Sequence, residues 1–328
     1  MAFSVGSWLG LGDSVMNMNL VKLVEDFRTE DACRDYLVDV RWPDGISCPR
    51  CAGTTISKIH KRGQFDCDSC RYQFSVLAGT IFHDTKLPLW KWFAAVYLMC
   101  ESKKGMSANQ MKRTLNVSYK TAWYLCHRIR AAMGAVVTEQ LEGVVEADET
   151  FVGGKPRFQN LEPKKDWRGR RLEPRKVGAS NKAVVLGAIE RGGNVRLRLS
   201  PDRTRKSLHA FLTAEVGDGA EAIFTDDWRP YRGIADEDTR HEVVTHSEYE
   251  WVRGDVHTNG IESVWSLLKR AIIGSYHHTS VKHLQSYLDE MEWRYNNRDN
   301  EWLFKDTLKA LVSAETLPYS ELISSQPA

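Results

Sequence analysis

Two Cys-x-x-Cys pairs, Cys48-Pro-Arg-Cys51 and Cys67-Asp-Ser-Cys70, stand 15 residues apart in the chain. No other feature of the sequence restricts the fold as much. Each pair folds into a tight turn that aims two thiolates at one point, so two pairs present four sulfurs. Zn²⁺ has no geometric preference of its own and takes four thiolates tetrahedrally at about 2.3 Å. Four protein ligands leave no open position, so the ion expected at Cys48, Cys51, Cys67 and Cys70 is structural, one per chain. The text around the pairs reads as a ribbon, with two strands in residues 53–67 and a third in 72–77. The competing reading is paired cysteines without a metal. A thioredoxin-like redox site needs one pair in a βαβ unit, and no such unit surrounds these.

The other three of the seven cysteines, Cys33, Cys100 and Cys126, lie in helical text and read as small buried hydrophobes. An odd cysteine count without a secretory signal points to a reducing compartment. The first residues lack the basic start of a signal peptide, and no 18-residue apolar window exists. A cytoplasmic protein with no membrane partner is expected. Residues 1–18 read as a loose tail, with Met1, Met16 or Met18 as the start. With 328 residues, 42% hydrophobic and 27% charged, the chain suits two or three globular domains and excludes a disordered or collagenous chain.

The net charge is only +2, but the charge is unevenly placed. Lys155–Lys206 holds 16 Lys and Arg against 5 Asp and Glu, whereas Gly217–Glu250 holds 3 against 10. This fits a chain that grips a polyanion at one place and cations at another; two solvated faces of opposite sign are the alternative.

Residues 19–40 read as one or two helices, with Leu20, Leu23, Val24 and Phe27 at helical spacing. From Leu87 the chain is helical again, with Pro88 suited to the first turn. Residues 107–133 read as two helices capped by Ser107 and Ser118, with Ala122, Cys126, Ile129 and Met133 on one face of the second. As a helix-turn-helix, the second helix would offer Tyr119, Lys120 and Thr121 to base edges, and His127, Arg128 and Arg130 to DNA along its length. Lys112 and Arg113 would come from the first. An ordinary amphipathic pair with scattered cations is the competing reading.

After Gly143 the pattern turns to strands: VVEADETFV, then AVVLGAIE and NVRLRLS about the Gly192–Gly193 turn. A helix, the strand EAIFTD, a short helix near WRPYRGI and the strand RHEVVTH follow, then helices GIESVWSLLKRAIIG and SVKHLQSYLDEMEWRYNNR. The order β-β-β-α-β-α-β-α is that of a ribonuclease-H-like fold. Asp148 lies within a strand, Asp226 ends one, and Glu262 opens a helix, with 35 residues between Asp226 and Glu262. Three carboxylates converging at a sheet edge would repel one another unless divalent cations lie between them. Two Mg²⁺ (or Mn²⁺) ions about 3.5–4 Å apart serve phosphodiester displacement. Lys269 follows Glu262 by two helical turns and could hold a phosphate, or be a plain surface lysine. Three alternatives stay open. Asn259 and Glu262 have capping-box spacing, Asp226 could be a turn residue with Asp227 an equal candidate, and Glu146 shares a face with Asp148 while Glu149 takes the other.

The combination of the cysteine pairs with LAGTIFHDTKLPLWKWF, NVSYKTAWYLCHRIR, VEADETFVGGK, TDDWRPYRG and HTNGIESVWSLLKRAIIGSYHHTSVKHLQSYLDEMEWRYNNR resembles bacterial transposases of the insertion sequence fifteen-ninety-five family. The likeness covers about residues 20–310. It implies an α+β multidomain chain: an N-terminal zinc ribbon (19–80), a helix-turn-helix region (81–140), and a ribonuclease-H-like mixed α/β DDE domain (141–310). That domain would carry a basic DNA-clamping insert at about 153–182, and 311–328 would be a tail. The catalytic acids it implies are Asp148, Asp226 and Glu262, with two Mg²⁺ per site and Lys269 following. In one branch of the family an asparagine stands third; here Asn259 and Glu262 are both present, and the spacing to Lys269 favours Glu262. The implied activity is binding of terminal inverted repeats, Mg²⁺-dependent end cleavage and strand transfer into target DNA. The implied assembly is a dimer or higher oligomer, nucleoid-associated. A zinc-ribbon regulator with an inert catalytic domain and a nuclease without transposition are the alternatives.

Overall fold

The computed structural model describes residues 17–153, 168, 182–234 and 239–324. Residues 1–16 of the expected tail and nearly all of the expected basic insert lie outside the described residues. The chain divides into two compact units: 1–138 with 274–276 and 289–328, and 139–273 with 277–288.

In the first unit, α1 (Leu20–Asp26) and α2 (Glu30–Arg41) begin at Asn19 and Thr29, whose side chains accept backbone N–H bonds. Leu23 and Phe27 are buried, but Leu20 and Val24 are 57% exposed, so the apolar stripe read over 20–27 is only half used. Next comes an antiparallel sheet of β1 (Ile56–Ile59), β2 (Gln64–Cys67) and β3 (Gln73–Phe74), as the ribbon reading requires. Helices α3 (Leu89–Glu101), α4 (Ala108–Leu115) and α5 (Tyr119–Gly134) follow. Ser107 and Ser118 cap α4 and α5 by accepting from Gln110 N and Thr121 N. Ala122, Cys126, Ile129 and Met133 are buried on one face of α5, and Cys33 and Cys100 are buried as well.

The C-terminal reading needs correction. Residues 311–328 are not simply a tail, because α9 (Leu303–Ser313) runs into them and α10 (Tyr319–Ile323) follows. Phe304, Leu308 and Leu311 recur at helical spacing and fill the space beside Phe93, Val96 and Ile129 in the first unit's core. Leu322 is buried too, and of residues 311–328 those after Ser324 lie outside the described residues. Asn17 and Met18, at the end of the expected N-terminal tail, are also tied down: Asn17 N donates to Glu301 O at 2.9 Å, and Met18 is buried.

The second unit is a five-stranded mixed sheet in the order β6 (Val195–Ser200), β5 (Ala183–Glu190), β4 (Leu141–Val152), β7 (Val216–Asp226), β8 (Arg240–Val244). β4, β5 and β6 are antiparallel neighbours; β7 pairs parallel with both β4 and β8. Helix α6 (Arg205–Glu215) lays Leu208, Phe211 and Leu212 on Val145, Ala147 and Ala188. Alternation along the strands turns Glu146, Asp148 and Gly187 to the opposite face. There α7 (Asn259–Ala271) brings Trp265 so close to Gly187 that an added Cβ would lie 2.4 Å from the indole. With both faces covered, β5 is apolar nearly throughout rather than alternating. Helix α8 (Val281–Asn296) starts in this unit and passes into the first at residue 289.

Candidate functional site

The two cysteine turns are built alike. Ala52 N donates to Cys48 O and Arg71 N to Cys67 O, each at 2.8 Å, and Ala52 and Arg71 both take φ of 58°. Cys48 Sγ stands 3.7 Å from Cys70 Sγ, and Cys51 Sγ 3.6 Å from Cys67 Sγ. All four sulfurs lie within 4.8 Å of one another. Sulfurs at about 2.3 Å from a common tetrahedral centre stand about 3.8 Å apart, so the cluster has the size Zn²⁺ demands. Trp42, Phe65 and Phe74 pack against it.

The helix-turn-helix candidates divide by burial. Lys112, Arg113, Tyr119 and Lys120 are exposed. Lys120 Nζ lies 4.3 Å from the centre of the Tyr319 ring. Thr121 is half-buried and its hydroxyl bonds Ser118 Oγ at 2.8 Å. His127 and Arg128 are only 1% and 3% exposed and cannot face DNA. His127 packs on Trp123, while Arg128 donates to His83 O at 2.7 Å and lies over Trp92 and Tyr124. Both point inward because α5 is covered on more than one side. Arg130 is also buried, bonding Glu290 at 2.6 Å.

The carboxylates gather around the C-terminal half of β4. The parallel register ends with Glu146 paired to Phe224; Asp148 and Asp226 each follow two residues later on these adjacent strands. Asp148 accepts from Trp265 Nε1 at 2.8 Å, which ties β4 to α7. Burial pushes the Asp148 carboxyl up to about 7; the Trp265 bond opposes the rise, and the charges of Glu149 and Asp226 add to it. Glu149 is also raised, first by burial, with the Tyr231 hydroxyl bonded at 2.9 Å pulling the other way. Asp226 accepts from Trp228 N at 3.1 Å, an Asx turn closing the strand, and Asp227 beside it is exposed. A cavity of about 520 Å³ is lined by Asp148, Glu149, Glu262, Trp265, Lys269 and Arg270. Asp148, Glu262 and Lys269 therefore share one cleft. Asp148, Asp226 and Glu262 do not close within 4.8 Å of one another as the cysteines do. An all-oxygen donor set with a half-buried carboxylate beside other acids fits a hard divalent cation, which would relieve the like-charge repulsion.

The capping box read at Asn259 and Glu262 does not form. The N-cap is Thr258, which makes no side-chain cap bond, and Asn259 is already helical. Glu262 Oε1 instead takes a 3.4 Å bond from Thr258 Oγ1. The cap comes from β4: Glu146 Oε2 accepts from Gly260 N at 2.6 Å and Ile261 N at 3.1 Å. Its other oxygen accepts from Arg191 Nε at 3.0 Å and lies 3.2 Å from His257 Nδ1. By sequence Glu146 is only an alternative acid on the Asp148 face; in the fold it caps α7. An acid on a buried strand face two residues from the candidate ligand was the only signal.

Comparison with known proteins bears on this arrangement. Residues 140–296 match the model of the ISXO2-like transposase domain, and residues 28–73 that of the transposase zinc-ribbon domain. The chain is 30% identical over 253 residues to a Halobacterium salinarum protein described as an uncharacterized protein in transposable element ISH50, covering 75% of this chain and 84% of that one. Among the described residues no helix is long and apolar enough to cross a membrane. The mixed five-stranded sheet, the four-cysteine ribbon and these matches agree: the chain belongs to the insertion sequence fifteen-ninety-five family of transposases.

Proposed function

We propose that this protein is a DDE transposase that binds the terminal inverted repeats of its own element, cleaves their ends and transfers the freed 3′-hydroxyl into target DNA. The observation that carries the reading is a cleft lined by mid-strand Asp148 and helix-start Glu262, with Asp226 ending the strand next to that of Asp148. Asp148, Asp226 and Glu262 would hold divalent cations, which when bound would supply activation of a water or hydroxyl and charge neutralisation at the leaving oxygen. The chain's own groups orient the site. Trp265 fixes the Asp148 carboxylate, and Lys269, on the cleft wall, offers a cation to a substrate phosphate. The sheet order, with three antiparallel strands followed by two parallel ones, supports a ribonuclease-H-like domain at about 141–310, with its basic insert a DNA clamp. The ribbon and α4–α5 are assigned to end recognition at the nucleoid, and synapsis of two ends calls for a dimer or larger assembly.

Selection of duplexes from a random pool by the full chain, followed by Mg²⁺ and a target duplex, tests the reading. Cutting at the selected end and joining to the target are expected. Binding without cutting would make the chain a regulator, and cutting without joining a nuclease.

Two further outcomes are expected. Metal analysis of protein purified without chelator should find one zinc per chain. Cys67→Ser should lose it and loosen the ribbon, because metal binding supplies folding energy in small metal domains. In a second series, Lys120→Ala should weaken binding to the selected DNA by about 1–3 kcal/mol with folding unchanged. Arg128→Ala should instead lower stability by about 1.5–3 kcal/mol through its buried charged hydrogen bond. Titration of labelled ends and denaturant melts separate the two effects; equal loss of DNA affinity at unchanged stability would return Arg128 to the DNA face.

A further inference from the structure

Glu146 is 1% exposed, which is costly for a carboxylate unless every lone pair is used. One oxygen takes the backbone N–H groups of Gly260 and Ile261, and the other takes Arg191, with His257 beside it. Arg191 also donates to His257 O at 3.2 Å, fixing the chain just before α7. At Gly260 an added Cβ would lie 2.8 Å from Glu146 Oε2, so the first turn of α7 approaches the strand at a distance that suits glycine. Two residues along β4, Asp148 takes the indole N–H of Trp265.

The two ties have matching spans. Glu146 to Asp148 is about 6.6 Å of strand at about 3.3 Å per residue. Gly260–Ile261 to Trp265 is about 6–7.5 Å of helix at about 1.5 Å per residue. Strand and helix are pinned at both ends of one short segment, and Glu262 lies inside the pinned stretch.

We infer that Glu146 is a positioning residue: by capping α7 from β4 it sets where Glu262 stands relative to Asp148, and so the affinity of the acidic site for divalent cations. This inference rests on the proposed carboxylate site. Its neutral isostere loses the charge that holds Arg191 and can present only one acceptor oxygen to the two sets of donors. Gly260→Ala pushes the same carboxylate off the helix end while improving helix propensity, so it tests the tie without weakening the helix itself.

The experiment titrates Mn²⁺ into the full chain by electron paramagnetic resonance, with thermal melts and end-cleavage kinetics alongside. Glu146→Gln and Gly260→Ala should each weaken Mn²⁺ binding about 10–100-fold, the usual scale for groups that orient ligands. Their kcat should fall by a similar factor with KM for DNA unchanged. Asp148→Asn serves as the reference and should lose Mn²⁺ binding. If Asp148→Asn loses Mn²⁺ while folded Glu146→Gln and Gly260→Ala bind and cut like wild type, this inference falls and the site reading stands. If Asp148→Asn binds Mn²⁺ as wild type does, the site reading falls and takes the inference with it. Should Glu146→Gln fail to fold, Gly260→Ala decides the question.

Discussion

Asp226→Asn is expected to reduce end cleavage by about 10²–10³-fold, the scale of losing one preorganised stabilising group, while leaving end binding intact. The substitution keeps the side-chain shape and an oxygen for the Trp228 N–H bond that closes β7. It removes a charge that a divalent cation needs. Asp227→Asn is the control, because Asp227 is exposed at the next position and should change cleavage little. Glu262→Gln belongs to the same series. The helix end is capped by Glu146 and not by Glu262, so the Glu262 variant should fold normally and lose cleavage. Full activity in Asp226→Asn, or equal loss in Asp227→Asn, would reassign the triad. The measurement is single-turnover cutting of a labelled end duplex in Mg²⁺, with binding followed in parallel.

Glu290→Leu is expected to destabilise the helical core of the first unit strongly. Glu290 is fully buried; one oxygen meets Arg130 Nε at 2.6 Å, and the other accepts from the Tyr276 hydroxyl at 3.0 Å and lies 3.4 Å from Arg294 Nε. Removing the acid leaves two guanidinium groups in a low-dielectric interior, a loss of about 3–5 kcal/mol. Urea denaturation should show it as a lower midpoint of the helical unit. The double variant Arg130→Met with Glu290→Leu should recover part of the loss, because a packed apolar pair has no charge to desolvate. A single variant as stable as wild type would mean that the cluster contributes nothing net. Gly105 sits at this cluster with φ of 73°, where an added Cβ would lie 1.7 Å from the Tyr276 oxygen; its place is fixed by tertiary contact as well as by its backbone angle.

Much of the molecule was legible in the sequence because it rests on local rules. Cys-x-x-Cys turns close by their own backbone bonds, and Ser107 and Ser118 cap helices within three residues of themselves. The strands read over 144–152, 183–190, 194–200, 221–226 and 240–246 all form, although β4 and β7 begin earlier, at Leu141 and Val216. These rules also put Asp148, Asp226 and Glu262 on a strand, a strand end and a helix start. Burial, the partner of each charge and the source of each distant cap depend on residues far apart in the chain, and no periodicity encodes them. Lys120 and Arg128 are alike in the sequence, yet one is exposed and the other is sealed under Trp92 and Tyr124. Residues 311–328 read as a tail, yet Leu303–Ser313 and Tyr319–Ile323 are helical, because the first unit's core gives Phe304, Leu308 and Leu311 an apolar place to pack. The local grammar at Asn259-Gly-Ile-Glu262 spelled a self-capped helix. The fold supplied a better acceptor from 114 residues away in Glu146, because a buried carboxylate and a row of open N–H groups each needed the other.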